Sequence, residues 1–239
     1  MKALLYGSRP DGHAKVVVDL AEDEGEIELV GLVDDYAENV GREVRSLRVV
    51  GTGAELGALR SEHAGALLLG FGENVGRAEI VARAAAAGFE LPKFVHESAW
   101  VSQSADLGDA VQVLALAYVG PDAKLGRGVL VNTGSVVEHD AVLGDGVVVG
   151  PGATLCGRVH VGREALVGAG ATIVPDVRIG ARAVVGAGAL VRKDVPDEAR
   201  VGGVPAELLP DRRELAEDQV PAAATAVGRR DRALPCRCA

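Results

Sequence analysis

Cysteine is scarce: Cys156, Cys236 and Cys238 are the three in a chain of 239 residues. An odd, sparse set makes no disulfide framework, so a reducing, cytoplasmic setting is the simplest expectation. Aromatic residues supply only 3% of the chain, unusually few for a compact core. No apolar run approaches the ~18 residues needed to cross a bilayer. The opening MKALLYGS has too short an apolar stretch for a secretion signal, so no membrane insertion is expected. A basic stripe is missing too. Acidic residues number 34 and basic ones 25, for a formal charge of −9, which argues against nucleic acid as the main partner. Small anions stay open as ligands, because local backbone amides bind them whatever the net charge. What is abundant is glycine, 32 residues, a balance that fits a stacked, repetitive core.

The repeat lies in the second half. Stepping by six from Val95 gives Val101, Leu107, Val113, Val119, Leu125, Val131, Val137, Leu143, Val149, Leu155, Val161, Val167, Ile173, Ile179, Val185 and Val191, all aliphatic. Four residues after each comes a small one, from Ala99 and Ala105 through Ala141 and Ala189 to Val195. Glycine often follows the aliphatic directly, as at Gly108, Gly120, Gly144 and Gly162. A period of six cannot make an amphipathic helix, whose apolar stripe recurs at about 3.6; it predicts a solenoid with one short strand and one turn per unit. The aliphatic residue points inward, the small one fits the corner, and glycine is expected to permit the turn conformations.

The first 94 residues read differently. KALLYG ends a buried strand at Gly7, GHAKVVVDLAEDEG follows as a helix, and IELVGLVDD is a second strand ending in Asp34 and Asp35. GALLLGFG is a third strand and RAEIVARAAAAGF a further helix. This alternation predicts a small parallel α/β domain. Its crevice lies beyond the carboxyl ends of the strands, where Gly7, Gly12, His13, Asp34, Asp35, Gly72 and Asn74 fall. The spacing is not GxGxxG, so NAD is not expected. Three domains result: a Rossmann-like nucleotide-sugar-binding domain (1–94), a β-helix (95–200), and a C-terminal segment (201–239) whose stretch from 210 has little core-forming pattern.

The repeat resembles the hexapeptide acyltransferases. With the N-terminal half, it resembles one branch of them: sialic acid O-acetyltransferases and N-acetyltransferases of UDP-4-amino sugars. The resemblance covers roughly residues 2–209 and rests on YGSRPDGHAKVV, LVDD, GFGENVGR, VHESAWVSQSA and, above all, VNTGSVVEHD. The Gly7 to Gly12 turn is two residues longer than the family's GxxGH. The resemblance implies a left-handed parallel β-helix with eighteen residues per triangular coil, a homotrimer, and acetyl-CoA in the groove between neighbouring helices.

On that geometry His139 sits at an outward corner, two residues after inward Val137. Acyl transfer to an amine needs a proton acceptor, an oxyanion donor and alignment. A free imidazole, titrating near pH ~6.5, suits the first task. The resemblance assigns Asp140 to orient the imidazole, with Glu138 the alternative. It assigns Gly157, eighteen residues on, to polarise the thioester carbonyl by its N–H. Asn132 is assigned to the acceptor sugar, as are Gly7, Gly12, His13, Asp34, Asp35 and Asn74. GGVPAELL places Gly203 and Pro205 along the coenzyme groove, and Lys193 is a candidate for the coenzyme's phosphates. Many relatives carry a histidine where this chain has Val148. His139 and His160 fall on different faces of adjacent coils, and no metal site is expected. The expected reaction is transfer of acetyl from acetyl-CoA to the amine of a nucleotide-linked amino sugar. O-acetylation of a sialic acid, and a non-catalytic sugar-nucleotide-binding scaffold, are the alternatives.

Overall fold

The computed structural model describes residues 1–8 and 12–210. The tail from 211, with Cys236 and Cys238, lies outside the described residues, as does most of the expectation about it. Met1–Leu208 forms one compact unit.

The N-terminal part is a five-stranded sheet built from β1 (Lys2–Tyr6), β2 (Glu28–Asp34), β3 (Glu43–Val44), β4 (Leu47–Thr52) and β5 (Ala66–Leu69). Their order is β3-β4-β2-β1-β5. All neighbours pair in parallel except β3 with β4. Helices α1 (Ala14–Glu24), α2 (Leu56–Glu62) and α3 (Arg77–Ala86) connect them. The chain adds β2 and β4 on one side of β1, then returns to add β5 on the other. The crevice at the carboxyl ends of such a switch point is where ligands bind in this architecture.

The second part begins at Phe94. Seventeen two-residue strands, β6 (Phe94–Val95) to β22 (Leu190–Val191), start every sixth residue. The second residue of each is the aliphatic that the six-step count picks out. Strands eighteen residues apart pair in parallel, so that Val119, Val137 and Leu155 stack in one register. Three parallel faces result. Their inward aliphatics and the small residues between them, Ala123, Ala141, Ala153 and Ala165 among them, form a single buried column. Small residues suffice because three strands converge on a narrow interior, which explains why so few aromatics are needed.

Two expectations about this column change. Glycine after the inward aliphatic is not there for turn conformation. A Cβ on Gly120 would sit 2.7 Å from the backbone nitrogen of His139, and one on Gly144 would sit 2.7 Å from that of Arg163. Successive coils approach too closely for a side chain. Left-handed backbone falls two residues later, often on a charged residue: Asp122 (φ 58°), Asp140 (φ 57°) and Arg158 (φ 59°). The repeat also ends early. Ile179 bridges Val195, sixteen residues on, so the last turn is two residues short, and Val195 takes a strand position instead of a corner.

The N-terminal sheet packs on one face of the β-helix. Leu5, Val17, Leu32 and Leu68 share a buried cluster with Phe94, Leu114, Leu130 and Val148. Val148 is therefore interdomain packing, which accounts for an aliphatic at that position. Beyond the last coil, β23 (Arg200–Gly202) and β24 (Glu207–Leu208) form an antiparallel pair. Among the described residues no helix is long and apolar enough to cross a membrane.

Candidate active site

His139 stands on the corner between β13 (Val136–Val137) and β14 (Val142–Leu143). Its Nδ1 lies 2.8 Å from Asp140 Oδ2, and both side chains are about half exposed. An ionised carboxylate only accepts, so Nδ1 carries the proton and Nε2 keeps a bare lone pair. Glu138 does not compete for the ring: its Oε2 accepts the backbone N–H of His139 at 3.2 Å. The ring lies against Gly157. A Cβ there would be 2.5 Å from Nε2 and 2.6 Å from Cε1, so only glycine leaves the imidazole its place. Among the described residues the Gly157 N–H makes no backbone hydrogen bond, which leaves it available to an oxyanion. Beside this pair, burial and then Glu138 raise the pKa of the Cys156 thiol.

The second feature is a cavity of about 780 Å³ at the carboxyl ends of β1, β2 and β5, lined by Gly7, Gly12, His13, Asp34, Asp35 and Asn74 among others. Six of the seven substrate-binding candidates thus meet in one place. Asn132 is not among its lining residues; its Oδ1 accepts the N–H of Thr133 at 2.8 Å.

The cavity's members hold different stations. Asp34 is buried and accepts from Ser8 Oγ, Tyr36 N–H (2.9 Å) and Asn39 Nδ2 (3.1 Å). Burial pushes its carboxyl up, but these donors outweigh burial and leave its pKa lowered. Asp35 is exposed and accepts the Tyr6 hydroxyl at 2.5 Å. Burial, then Asp35, raises the pKa of that phenol. Arg83 completes the floor, donating to the carbonyl of Gly53 at 2.6 Å. Tyr6 and Arg83 line the cavity, carry no motif and were not expected; the one signal was the place of Tyr6 at a strand's carboxyl end. The His13 Nε2 is buried with no hydrogen-bond partner among the described residues. Burial, then the charge of Arg77, lowers its pKa to about 4, so it stands in the cavity wall as a neutral imidazole.

The cavity wall is bolted to the β-helix. Arg77 is fully buried. It donates to the carbonyls of Gly128 (2.8 Å) and Phe71 and to Gln112 Oε1 (2.8 Å). Gln112 returns a bond to the Leu69 carbonyl at 2.8 Å. Asn74 donates its amide to the Glu164 carbonyl, so that amide serves the domain junction. Gly203 and Pro205 lie in the exposed turn between β23 and β24, and Lys193 is exposed in the shortened last coil. Among the described residues no cluster of three His, Cys, Asp or Glu side chains is placed to hold a metal.

Comparison with known proteins fits both halves. Residues 4–84 match the PglD N-terminal domain, and residues 123–157 and 158–193 match the bacterial transferase hexapeptide (six repeats). A histidine-to-asparagine variant of perosamine N-acetyltransferase from Caulobacter crescentus, solved with CoA and GDP-perosamine, is 37% identical. The match covers 88% of this chain and 98% of that one, with a TM-score of 0.81. The chain belongs to the hexapeptide-repeat sugar acetyltransferases, and its β-helix is of their left-handed kind. The acetyltransferase domain of PglB from Neisseria gonorrhoeae, solved with acetyl coenzyme A, is also 37% identical, over 87% and 98% of the two chains with a TM-score of 0.79. WeeI from Acinetobacter baumannii, at 23% identity, 87% and 100% coverage and a TM-score of 0.71, shares the fold. A comparison with curated proteins gives no match.

Proposed function

We infer that this protein transfers an acetyl group from acetyl-CoA to the amine of a nucleotide-linked amino sugar. The observation that carries the reading is the conjunction, in one chain, of a nucleotide-sized cavity and an imidazole–carboxylate pair backed by glycine. The family gives the cavity its ligand class. A neighbour binds a GDP-linked sugar, so the base need not be uracil.

The proposed chemistry uses His139 at Nε2. The acceptor amine attacks the thioester carbonyl carbon while Nε2 takes its proton. The oxyanion that forms is met by the Gly157 N–H. The C–S bond then breaks, the sulfur leaves as thiolate, and the imidazolium returns the proton to it. The acid–base part is worth about 10²–10⁴-fold.

The places of the two features support a homotrimer. The N-terminal domain covers the face carrying Leu114, Leu130 and Val148. His139 stands at the corner between the other two faces. A sugar held in the cavity therefore approaches a neighbouring copy's His139 more readily than its own, and the coenzyme lies along the same seam, toward Lys193, Gly203 and Pro205. The scarcity of cysteine supports a cytoplasmic enzyme.

The deciding experiment is thiol release from acetyl-CoA with UDP- and GDP-linked amino sugars, free amino sugars and sialic acid. Turnover of a nucleotide-linked amine above all others is expected. Preference for sialic acid, or no release with any acceptor, would overturn the reading. A fully active monomer in light scattering would overturn the trimer.

A further inference from the structure

The corner that carries His139 also carries a file of charges. Asp122, Asp140, Arg158 and Asp176 recur at eighteen-residue spacing. All four have left-handed backbone, with φ of 58°, 57°, 59° and 67°. A shared backbone conformation sends their Cα–Cβ bonds the same way, and neighbours in the file stand about 4.8 Å apart, the spacing of paired strands. Arg158 thus has a carboxylate on either side at equal reach. It takes Asp176, with Nε 2.6 Å from Oδ1 and Nη2 2.9 Å from Oδ2. That two-pronged geometry is the strongest available to a guanidinium. Asp140 is left to the His139 ring.

We propose that Asp176 is a positioning residue for the His139–Asp140 pair: by clasping Arg158 it keeps the guanidinium off Asp140 and leaves that carboxylate to the imidazole. Were Arg158 to turn to Asp140, the imidazole would lose twice. The guanidinium would compete for the lone pairs that accept Nδ1–H, and it would neutralise the charge that favours the imidazolium. Both changes weaken Nε2 as a base. The direction of influence on Arg158 agrees: Asp176 raises its pKa first and most, Asp140 last and least. The other groups around the ring do not substitute for this clasp. Glu138 is engaged with the His139 backbone N–H, Cys156 has a raised pKa and stays a thiol, and Asp122, one coil before Asp140, carries no positive charge. Neither Arg158 nor Asp176 is buried, so the clasp adds little to stability; its effect is on which carboxylate the guanidinium occupies.

The consequence for rate rests on His139 acting as the base; the consequence for the ring's titration does not. The test follows the His139 ring by nuclear magnetic resonance against pH in Asp176→Ala, Arg158→Ala and the double variant. In Asp176→Ala the midpoint should fall by about one unit, the low end of what a neighbouring charge does, as befits an exposed site. The double variant should return it to the wild-type value, because the intruding charge is gone. An unchanged midpoint in Asp176→Ala, or a fall that the double variant fails to reverse, would overturn the proposal. Under the base reading, kcat/KM near neutral pH falls by up to about tenfold in Asp176→Ala, the ceiling set by one unit of basicity, and recovers in the double variant. A midpoint that moves and is rescued while kcat/KM stays constant supports the clasp and removes His139 as the base.

Discussion

Asp34 and Asp140 are each at the centre of a site, and they are held in opposite ways. Asp34 is buried and fixed by donors from Ser8, Tyr36 and Asn39. Asp140 is half exposed, and its side-chain partner is His139. In the N-terminal domain a network of side chains fixes position. In the β-helix the backbone lattice does so: the coils above and below His139 hold its main chain through Arg158 N–H to His139 carbonyl (3.0 Å) and Asp140 N–H to Pro121 carbonyl (2.9 Å). A rigid backbone can carry an exposed reactive group without burying it. The difference has a consequence for mutation. Changes at the β-helix corner should cost activity and leave folding intact, whereas changes in the N-terminal cavity should divide between stability and affinity.

The largest effect expected on this view is at His139. His139→Ala should reduce kcat by about 10²–10⁴-fold, the usual share of a general base, with the wild-type melting temperature and oligomeric state retained. The inward column from Val95 to Val191 is untouched by it. The pH–rate profile should lose the limb that depends on the ring. Steady-state kinetics showing near-wild-type kcat and an unchanged profile would return His139 to the status of a surface residue.

Gly157→Ala comes next. The new methyl would lie 2.5 Å from Nε2, so the imidazole has to swing out while the Gly157 N–H remains. A displacement of about 1 Å at a reacting group costs on the order of 10²-fold. Pairing it with His139→Ala sharpens the prediction: with the ring already gone, the added methyl should cost little more. Full additivity in this double-mutant comparison would show that Gly157 acts on something other than the ring.

The N-terminal domain should lose stability in mild acid through His13. The pKa of His13 is lowered to about 4 by burial and by Arg77, below the ~6.5 of a free imidazole. The unfolded chain then takes up a proton that the folded one refuses. The associated stability is fully present above about pH 6.5 and is lost as pH falls toward 4. Between pH 7.5 and pH 5 the loss should be roughly 2 kcal/mol, less than the full linkage value because pH 5 still lies above the folded pKa. Urea unfolding at pH 7.5 and pH 5 should show this drop in the wild type and a smaller one in His13→Gln. Equal drops in both would mean that His13 is solvated and titrates normally.

The same contrast explains what could be read from the sequence. The seventeen inward positions follow from counting, because a period gives each residue an address; the corner place of His139 and the apposition of Gly157 needed, besides the count, the eighteen-residue coil that the resemblance implies. Counting failed where the period itself changes, at the short turn that brings Val195 onto Ile179. It also misassigned the recurrent glycine, since the distance between coils is invisible along one strand. In the N-terminal half the crevice could be placed at the strand ends, and all seven residues expected in it do meet there. Arg77 with Gln112, and Tyr6 with Asp35, could not be foreseen. Their partners lie 35 and 29 residues apart with no repeat to relate them, so only the packed structure shows that they meet.

The smallest effect is the one that separates the two aspartates of the N-terminal site. Asp35 is exposed beside the cavity and accepts the Tyr6 hydroxyl, whereas Asp34 is spent on holding the loop after β2. Asp35→Ala removes an acceptor on the ligand's side of the wall. A hydrogen bond to a charged group contributes about 1.5 kcal/mol at the lower end of its range, so KM for the nucleotide sugar should rise about tenfold. The acetyl-CoA KM should not move, since the coenzyme is assigned to the β-helix seam. Asp35→Asn keeps a carbonyl oxygen for the Tyr6 hydroxyl and should raise KM less. Asp34→Ala should act through folding instead, lowering the melting temperature because Ser8, Tyr36 N–H and Asn39 lose their common acceptor. Were Asp35→Ala to raise both KM values equally, the cavity and the coenzyme seam would be one continuous site, and the division between a side-chain-held acceptor pocket and a backbone-held reaction corner would fail.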